Sequence, residues 1–245
     1  MSWKGLQSDN DCAALKAFLD LHHERLISFE IDFIKWANVE SRFNLFDDDD
    51  EEDEDEGSST PLIDLILPKR KDGYQGFLPN LQTFLLSGAS FKGSWNCLIN
   101  GFNLRSVKEL RLLNYKYTAK LLDYIVRTNM SFQATKVELV LDYSEIEGWE
   151  WDVVHFLAPF KDLENLFLMF DADYADSNDA ELILRYRDTL RRLVYHRRQF
   201  CQDKKAPYSN EYCDSSPEEI ESVFAGILRI TKLESAGFCV EPSKL

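Results

Sequence analysis

The sequence predicts an α/β solenoid, in which short parallel strands form a curved sheet on the concave face and helices cover the convex face. The first observation is an apolar phrase whose successive copies are 26, 27, 29 and 27 residues apart. The second is that the phrase is too short for a helix and alternates like a strand, whereas helical patterns fill the spaces between copies. A regular period in this range is typical of units that pack on their neighbours. The five clear copies are residues 81–86, 107–112, 134–139, 163–168 and 190–195.

Helices are predicted between these strands. Residues 119–127 carry apolar side chains at helical spacing, and Thr118 is the predicted N-cap. Three more helices are predicted at 149–157, 178–187 and 216–228, the last with Ser216 as its cap.

The two ends of the chain extend the pattern. A helix at 13–23 leads into another copy of the phrase at 26–31, and a further copy is predicted at 230–235. Because Phe29 and Phe84 are about two periods apart, an intervening unit is predicted around 62–67. Residues 1–245 are therefore predicted to form a single solenoid.

Two segments are predicted to be insertions. The formal net charge is −15, from 43 acidic and 28 basic residues, and ten acids form one run from Asp47 to Glu56. Without this run 33 acidic and 28 basic residues remain, which is an ordinary balance for a soluble domain. We predict an acidic disordered insertion at 46–60 and a polar surface insertion at 202–216.

Composition favours an intracellular protein without a membrane anchor. The N-terminal residues show no secretory signal, and no stretch reaches the roughly 18 apolar residues of a spanning helix. The five cysteines are widely spaced without a Cys-x-x-Cys pair, as expected for free thiols in a reducing compartment. We expect a cytoplasmic or nuclear protein.

The phrases resemble the leucine-rich repeat, Leu-x-x-Leu-x-Leu-x-x-Asn/Cys-x-Leu, from about residue 13 to 240. The asparagine that this family places at the ninth position is replaced, which implies an irregular solenoid without most of the asparagine ladder. The ninth-position residues are Ala89, Tyr115, Asp142, Asp171 and Arg198.

The irregular period, the acidic insertion and the phrase at 187–198 are similar to the repeat region of fungal F-box leucine-rich-repeat proteins. In that family an F-box docks on the adaptor of a cullin-type ubiquitin ligase, and the repeats recruit the substrate. The Leu-Pro-x-Glu that opens an F-box is not found in this chain. The resemblance implies a role in substrate recognition, with a cullin-ligase adaptor as one partner and the substrate protein as another.

Strand alternation predicts which side chains line the concave face. The apolar positions of the phrase point inward, so the residues between them form an apolar stripe edged by Arg111, Glu138, Arg192 and His196, and such exposed apolar area usually marks a partner site. The predicted partner-binding residues are Leu85, Arg111, Leu113, Glu138, Val140, Phe167, Met169, Val194 and His196. In the third copy, residues 137–141 permit two registers, and the sequence leaves that choice open.

No pattern favours catalysis. His22, His23 and His155 have no matching ligands at suitable spacing, and the chain has no Gly-rich phosphate loop, Gly-x-Ser-x-Gly or His-Glu-x-x-His motif. We expect a non-catalytic protein without cofactor or metal. Nucleic acid is not an expected partner, because the net charge is −15 and the basic residues between 185 and 205 have little aromatic interleaving.

The acidic run leaves a second function open. It resembles the acidic tract of the nuclear acidic leucine-rich-repeat phosphoproteins, which bind basic proteins such as histones, although that family carries its tract as a C-terminal tail. An acidic module that binds basic proteins is therefore the alternative to ubiquitin-ligase substrate recognition.

Overall fold

In the part of the chain that the structure describes, eight parallel strands form one sheet, and strands that follow each other in sequence are neighbours in the sheet. The computed structural model describes residues 1–6, 8–33, 66–67, 76–88, 95–115, 118–141, 157–171, 184–198, 229–230 and 232–238. The strands are β1 (Ser2–Leu6), β2 (Ser28–Phe33), β3 (Thr83–Ser87), β4 (Glu109–Tyr115), β5 (Lys136–Leu141), β6 (Asn165–Asp171), β7 (Arg192–Arg198) and β8 (Ser235–Phe238). The fold is therefore α/β, as predicted.

Three helices are described in full: α1 (Asp9–His22), α2 (Trp95–Gly101) and α3 (Thr118–Arg127). Short 3-10 helices follow α1 and α2, at His23–Arg25 and Leu104–Ser106. The sequence did not predict α2, whereas α1 and α3 confirm two predicted helices with small changes of boundary.

Those boundaries have local causes. Helix α1 begins four residues earlier than predicted, because the Ser8 hydroxyl accepts from the Asp11 N–H at 3.3 Å and the Asp11 carboxylate accepts from the Ser8 N–H at 3.0 Å. This capping box uses Asp where Glu or Gln is usual, so the sequence pattern was missed. Thr118 lies inside α3, not before it. The helices predicted at 149–157, 178–187 and 216–228 fall outside the described residues, apart from 157 and 184–187.

The apolar phrase is a structural unit, because one backbone contact recurs at every copy. The backbone carbonyl of the second residue of one copy accepts hydrogen bonds from the N–H groups of the second and third residues of the next copy. For example, Gln82 O accepts from Lys108 N at 2.7 Å and from Glu109 N at 3.0 Å. The accepting carbonyls belong to Ile27, Gln82, Lys108, Thr135, Glu164 and Arg191. We call this series the carbonyl ladder. It joins each copy to the next and holds consecutive strands in one register.

The core lies on one face of the sheet. The first, fourth and sixth residues of the phrase are buried, as Leu163, Leu166 and Leu168 show, and they form one cluster with helix residues such as Leu121 and Leu122 of α3. This burial also decides between the two strand registers that the sequence leaves open in the third copy. Val137 and Leu139 are buried, and Glu138 and Val140 are partly exposed.

The intervening unit predicted around 62–67 places no strand between β2 and β3. These two strands pair directly, with Phe29 opposite Phe84, so the sheet leaves no room for another strand there. The core is continuous across this joint, because the Phe84 ring lies 6.3 Å from Phe29 and 4.7 Å from Phe102. Of the predicted unit, Ile66 and Leu67 are described, and both are buried in the core cluster.

The two ends of the sheet also correct the prediction. Strand β1 was not predicted, yet Trp3 pairs with Ile31 at about one repeat period. At the other end, Leu193 lies opposite Ala236, so Leu233 takes the first position of the last copy. The predicted copy at 230–235 was therefore three residues out of register, because the small residue Ala236 occupies the fourth position of the last copy and weakens the pattern.

Candidate protein-interaction surface

The sheet surface opposite the core, which we call the open face, carries the side chains that alternate with the core residues. One row of it crosses the sheet in strict register. From β2 to β7 this central row consists of Glu30, Leu85, Arg111, Glu138, Phe167 and Val194. Each of these side chains is partly exposed, whereas their neighbours along the strands are buried, apart from Tyr195, which is partly buried.

The nine predicted partner-binding residues all lie on strands β3 to β7. Five of them, Leu85, Arg111, Glu138, Phe167 and Val194, belong to the central row. In a second row, Val140 pairs with Met169, and Met169 pairs with His196. Only the backbone of His196 is described. Leu113 lies opposite Ser87, and an irregularity of β4 after Leu112 interrupts its pairing with β5.

An ion pair crosses the central row. Arg111 Nε donates to Glu138 Oε2, and the two side chains are 34% and 24% exposed. This hydrogen bond raises the pKa of the Arg111 guanidinium above its ordinary value, and the carboxylates of Glu109 and Glu30 raise it further. Both charged groups are therefore satisfied within the protein before any partner arrives.

The ion pair corrects the predicted continuous apolar stripe. Arg111 and Glu138 were expected at its edge, but the register places them between Leu85 on β3 and Phe167 on β6. The physical reason is that one phrase position supplies the whole central row, and that position is charged in two adjacent strands. What remains contiguous is an apolar patch over β5, β6 and β7, formed by Val140, Phe167, Met169 and Val194.

A shallow depression of about 280 Å³ lies beside the apolar patch. Its lining residues are Glu109, Arg111, Lys136, Val137, Glu138, Asn165, Leu166, Phe167, Arg192 and Val194. Lys136 Nζ lies 4.0 Å from Glu109 Oε2, so a second ion pair runs parallel to the first. Arg192 is exposed at the β7 side, where the sequence placed it at the edge of the site.

Sequence reasoning missed three polar lining residues: Glu109, Lys136 and Asn165. They occupy the third position of the phrase, one row before the central row, and align with one another and with Arg192. Extending the strand alternation by one step toward the N-terminal end of each strand would have found them.

His22 and His23 have packing contacts. The His23 ring stacks on Phe77 with centroids 4.9 Å apart, and its Nδ1 lies 3.0 Å from Asp20 O, while His22 lies 4.5 Å from the Phe18 ring. His155 lies outside the described residues. Within the described ranges, no group of three or more His, Cys, Asp or Glu residues is arranged to hold a metal ion.

Comparison of the chain with family models, with curated proteins and with solved structures finds no match. Among the described residues, no helix is both long and apolar enough to cross a membrane.

Proposed function

We propose that this chain is a non-catalytic protein-interaction module of the leucine-rich-repeat type, which binds another protein through its open face. The observation that carries the proposal is the partly exposed apolar patch on the open face, which the Arg111–Glu138 ion pair separates from Leu85. Support for the solenoid comes from the consecutive strand order, the one-sided core and the carbonyl ladder, which together make each phrase an equivalent unit. In this proposal the open face is the concave surface.

The open face has the physical properties of a preorganised binding surface. Its strands are connected by regular backbone hydrogen bonds, so little backbone entropy remains to be lost on binding. The Arg111–Glu138 ion pair is formed in the free protein, so a partner does not have to neutralise either charge. The apolar patch supplies the area whose removal from water drives association.

The specific role we propose is substrate recognition in an F-box-type ubiquitin ligase, in the cytoplasm or nucleus. The support for this role is the resemblance of the repeats to fungal F-box leucine-rich-repeat proteins. In this role the open face binds the substrate protein, and a cullin-ligase adaptor is recruited through other surfaces or other chains.

Affinity purification of the tagged chain from native lysate, followed by mass spectrometry, tests the proposal. The variant Phe167→Asp with Leu113→Asp places two carboxylates on the open face and should abolish partner capture while the chain still unfolds cooperatively. Leu21→Asp is the matched control, because Leu21 is 76% exposed on α1, away from the open face, and this variant should retain the partner.

Recovery of adaptor subunits together with an open-face partner supports the ligase role. A partner captured equally well by the double variant and by the control contradicts binding through the open face. Open-face capture without adaptor subunits restricts the proposal to the interaction module.

The alternative is an acidic module that binds basic proteins such as histones. The observation that favours it is the concentration of negative charge between Asp47 and Glu56. Deleting this run while leaving the open face intact separates the two functions. Loss of histone capture on deletion supports the alternative, and unchanged capture contradicts it.

A further inference from the structure

The depression on the open face contains one charge that no residue in the described part of the chain pairs. Of its five charged side chains, Glu109 pairs with Lys136, and Arg111 with Glu138. The fifth, Arg192, is exposed and makes no ion pair with any residue that the structure describes. An unpaired guanidinium beside an apolar patch is a ready partner for a carboxylate.

The positions of Arg192 and the apolar patch define a spacing. Phe167 lies directly opposite Val194 in the central row, and Arg192 precedes Val194 by two residues on the same face of β7. Successive side chains on one face of a strand are about 7 Å apart, since each residue advances the strand by about 3.3 Å. An extended peptide presents alternate side chains at the same spacing.

The apolar side of the depression is open toward β8. Gly237 lies opposite Val194 there, and a Cβ built on it would lie 3.4 Å from Val194 Cγ2, an ordinary contact distance. The missing side chain at Gly237 therefore leaves this flank of Val194 accessible.

We infer that the depression binds a linear segment of a protein partner that presents an apolar side chain two residues from an aspartate or glutamate. The apolar side chain packs on Phe167 and Val194, and the carboxylate pairs with Arg192. Along β7 the lining of the depression runs from Arg192 to Val194, so about three extended residues of a segment that lies parallel to the strands cover it. This inference rests on the proposed function, because it requires the open face to be the binding surface.

Charge selects this partner over a basic one. The carboxylates of the depression are already paired, so a lysine or arginine in the segment gains little from them and is repelled by Arg192. Because the contact with Arg192 is exposed, we expect the affinity for an acidic segment to fall as salt rises.

The test is selection of phage-displayed random 12-residue peptides on the full chain. We expect the enriched peptides to carry an apolar residue two positions from Asp or Glu. When the selection is repeated on Arg192→Glu, we expect Lys or Arg to be enriched in place of Asp or Glu. A peptide selected on the wild type should bind Arg192→Glu about ten-fold more weakly, as measured by fluorescence anisotropy. Arg187→Glu is the matched control, since Arg187 lies outside the depression, 3.6 Å from Asp188, and it should leave the selection unchanged.

A second variant tests the apolar contact without a change of charge. Gly237→Leu covers the open flank of Val194 and should abolish binding of the selected peptides, whereas Gly237→Ala should retain it. If both variants bind the peptides as the wild type does, the apolar side chain does not pack on Val194, and the inference is overturned.

The remaining outcomes separate this inference from the proposed function. Selected peptides whose binding is lost in Phe167→Asp bind the open face. If such peptides carry no acidic residue, or bind Arg192→Glu as well as the wild type, the inference is overturned and the open face remains the binding surface. No enrichment above a control without protein overturns the inference alone, because the open face can still bind a folded partner, which the lysate capture tests. Enrichment that is insensitive to Phe167→Asp contradicts both.

Discussion

The two faces of the sheet use the same strands under different constraints. On the core face, Phe84, Leu110, Val137 and Leu166 form a row in which every side chain is 0–3% exposed. One residue further along each strand, the central row of the open face mixes acidic, basic and apolar side chains, all partly exposed. The core row admits only side chains that exclude water, so folding determines its composition. The open row has no such requirement, and its particular mixture is where a binding function can be encoded.

The largest expected difference between the faces concerns two adjacent residues of β6. Leu166→Ala should lower the free energy of unfolding by about 2–5 kcal/mol, because it removes a buried side chain and leaves a cavity. Phe167→Ala should lower the free energy of unfolding by only about 1 kcal/mol, because the ring is already partly exposed to water in the folded protein and its removal leaves no enclosed cavity. Urea unfolding of both variants checks this difference. Equal costs would contradict the assignment of the two faces.

A glycine on the core side provides the next effect. Gly88 follows β3 with a φ of 71°, and a Cβ there would clash with the backbone oxygen of Phe33. Gly88→Ala should therefore cost about 1–2 kcal/mol for the left-handed conformation and roughly 1–3 kcal/mol more for the backbone contact.

Gly76→Ala is the matched control for Gly88→Ala. Gly76 has a similar φ of 64°, but no atom lies within 4 Å of the added Cβ. The control should show only the conformational cost in the same thermal or urea unfolding experiment. If Gly88→Ala is no more destabilising than Gly76→Ala, the close approach of β2 to the end of β3 is not a constraint on the fold.

Tyr186 carries a smaller, pH-dependent contribution on the core side. Its buried hydroxyl lies 2.5 Å from Leu157 O and 2.9 Å from Phe160 O, which share its one hydrogen as acceptors. Burial raises the pKa of Tyr186 to about 12. Tyr186→Phe should cost about 1–3 kcal/mol at neutral pH, because both carbonyls lose a donor.

The pH dependence of that difference follows from the raised pKa. In the unfolded chain tyrosine ionises near pH 10, so the contribution of Tyr186 is fully present below about pH 10 and is lost as the pH rises through 12. The stability difference between wild type and Tyr186→Phe should shrink over this range in pH-resolved unfolding. A difference that stays constant to pH 12 would show that the hydroxyl is not buried.

The smallest expected effect lies on the open face. A double-mutant cycle of Arg111→Ala and Glu138→Ala should give a coupling of about 0.2–1 kcal/mol, because the pair is partly solvated. Salt at about 1 M should reduce this coupling. A coupling of several kcal/mol that salt does not change would place the pair in a water-excluded environment, contrary to an open face.

Much of the sheet could be predicted from the sequence, because alternation and a period near 27 residues identify β2 to β7 and their inward side chains. The prediction was wrong where the pattern depends on one or two residues. Ala236 provides too little apolar signal at the fourth position to register β8, and the long separation of Phe29 and Phe84 suggested a unit whose strand the direct pairing of β2 with β3 excludes.

The site was predictable only in part, because the sequence shows which face a residue occupies but not its lateral neighbour. The registers that align Arg111 with Glu138, and Phe167 with Val194, depend on the carbonyl ladder and on the length of each connection. A continuous apolar stripe was therefore predicted where an ion pair divides it. The asparagine ladder stays untested, because the side chains at its positions fall outside the described residues.

The most direct test of the central claim is urea unfolding of Phe167→Asp beside the wild type. A charge on a free open face should leave the slope unchanged and lower the stability by only about 1 kcal/mol, as expected for Phe167→Ala, since the carboxylate stays in water. Loss of the cooperative transition, or a fall of several kcal/mol in stability, would show that Phe167 packs inside the folded chain. The open face would then be a second core surface and not a binding site.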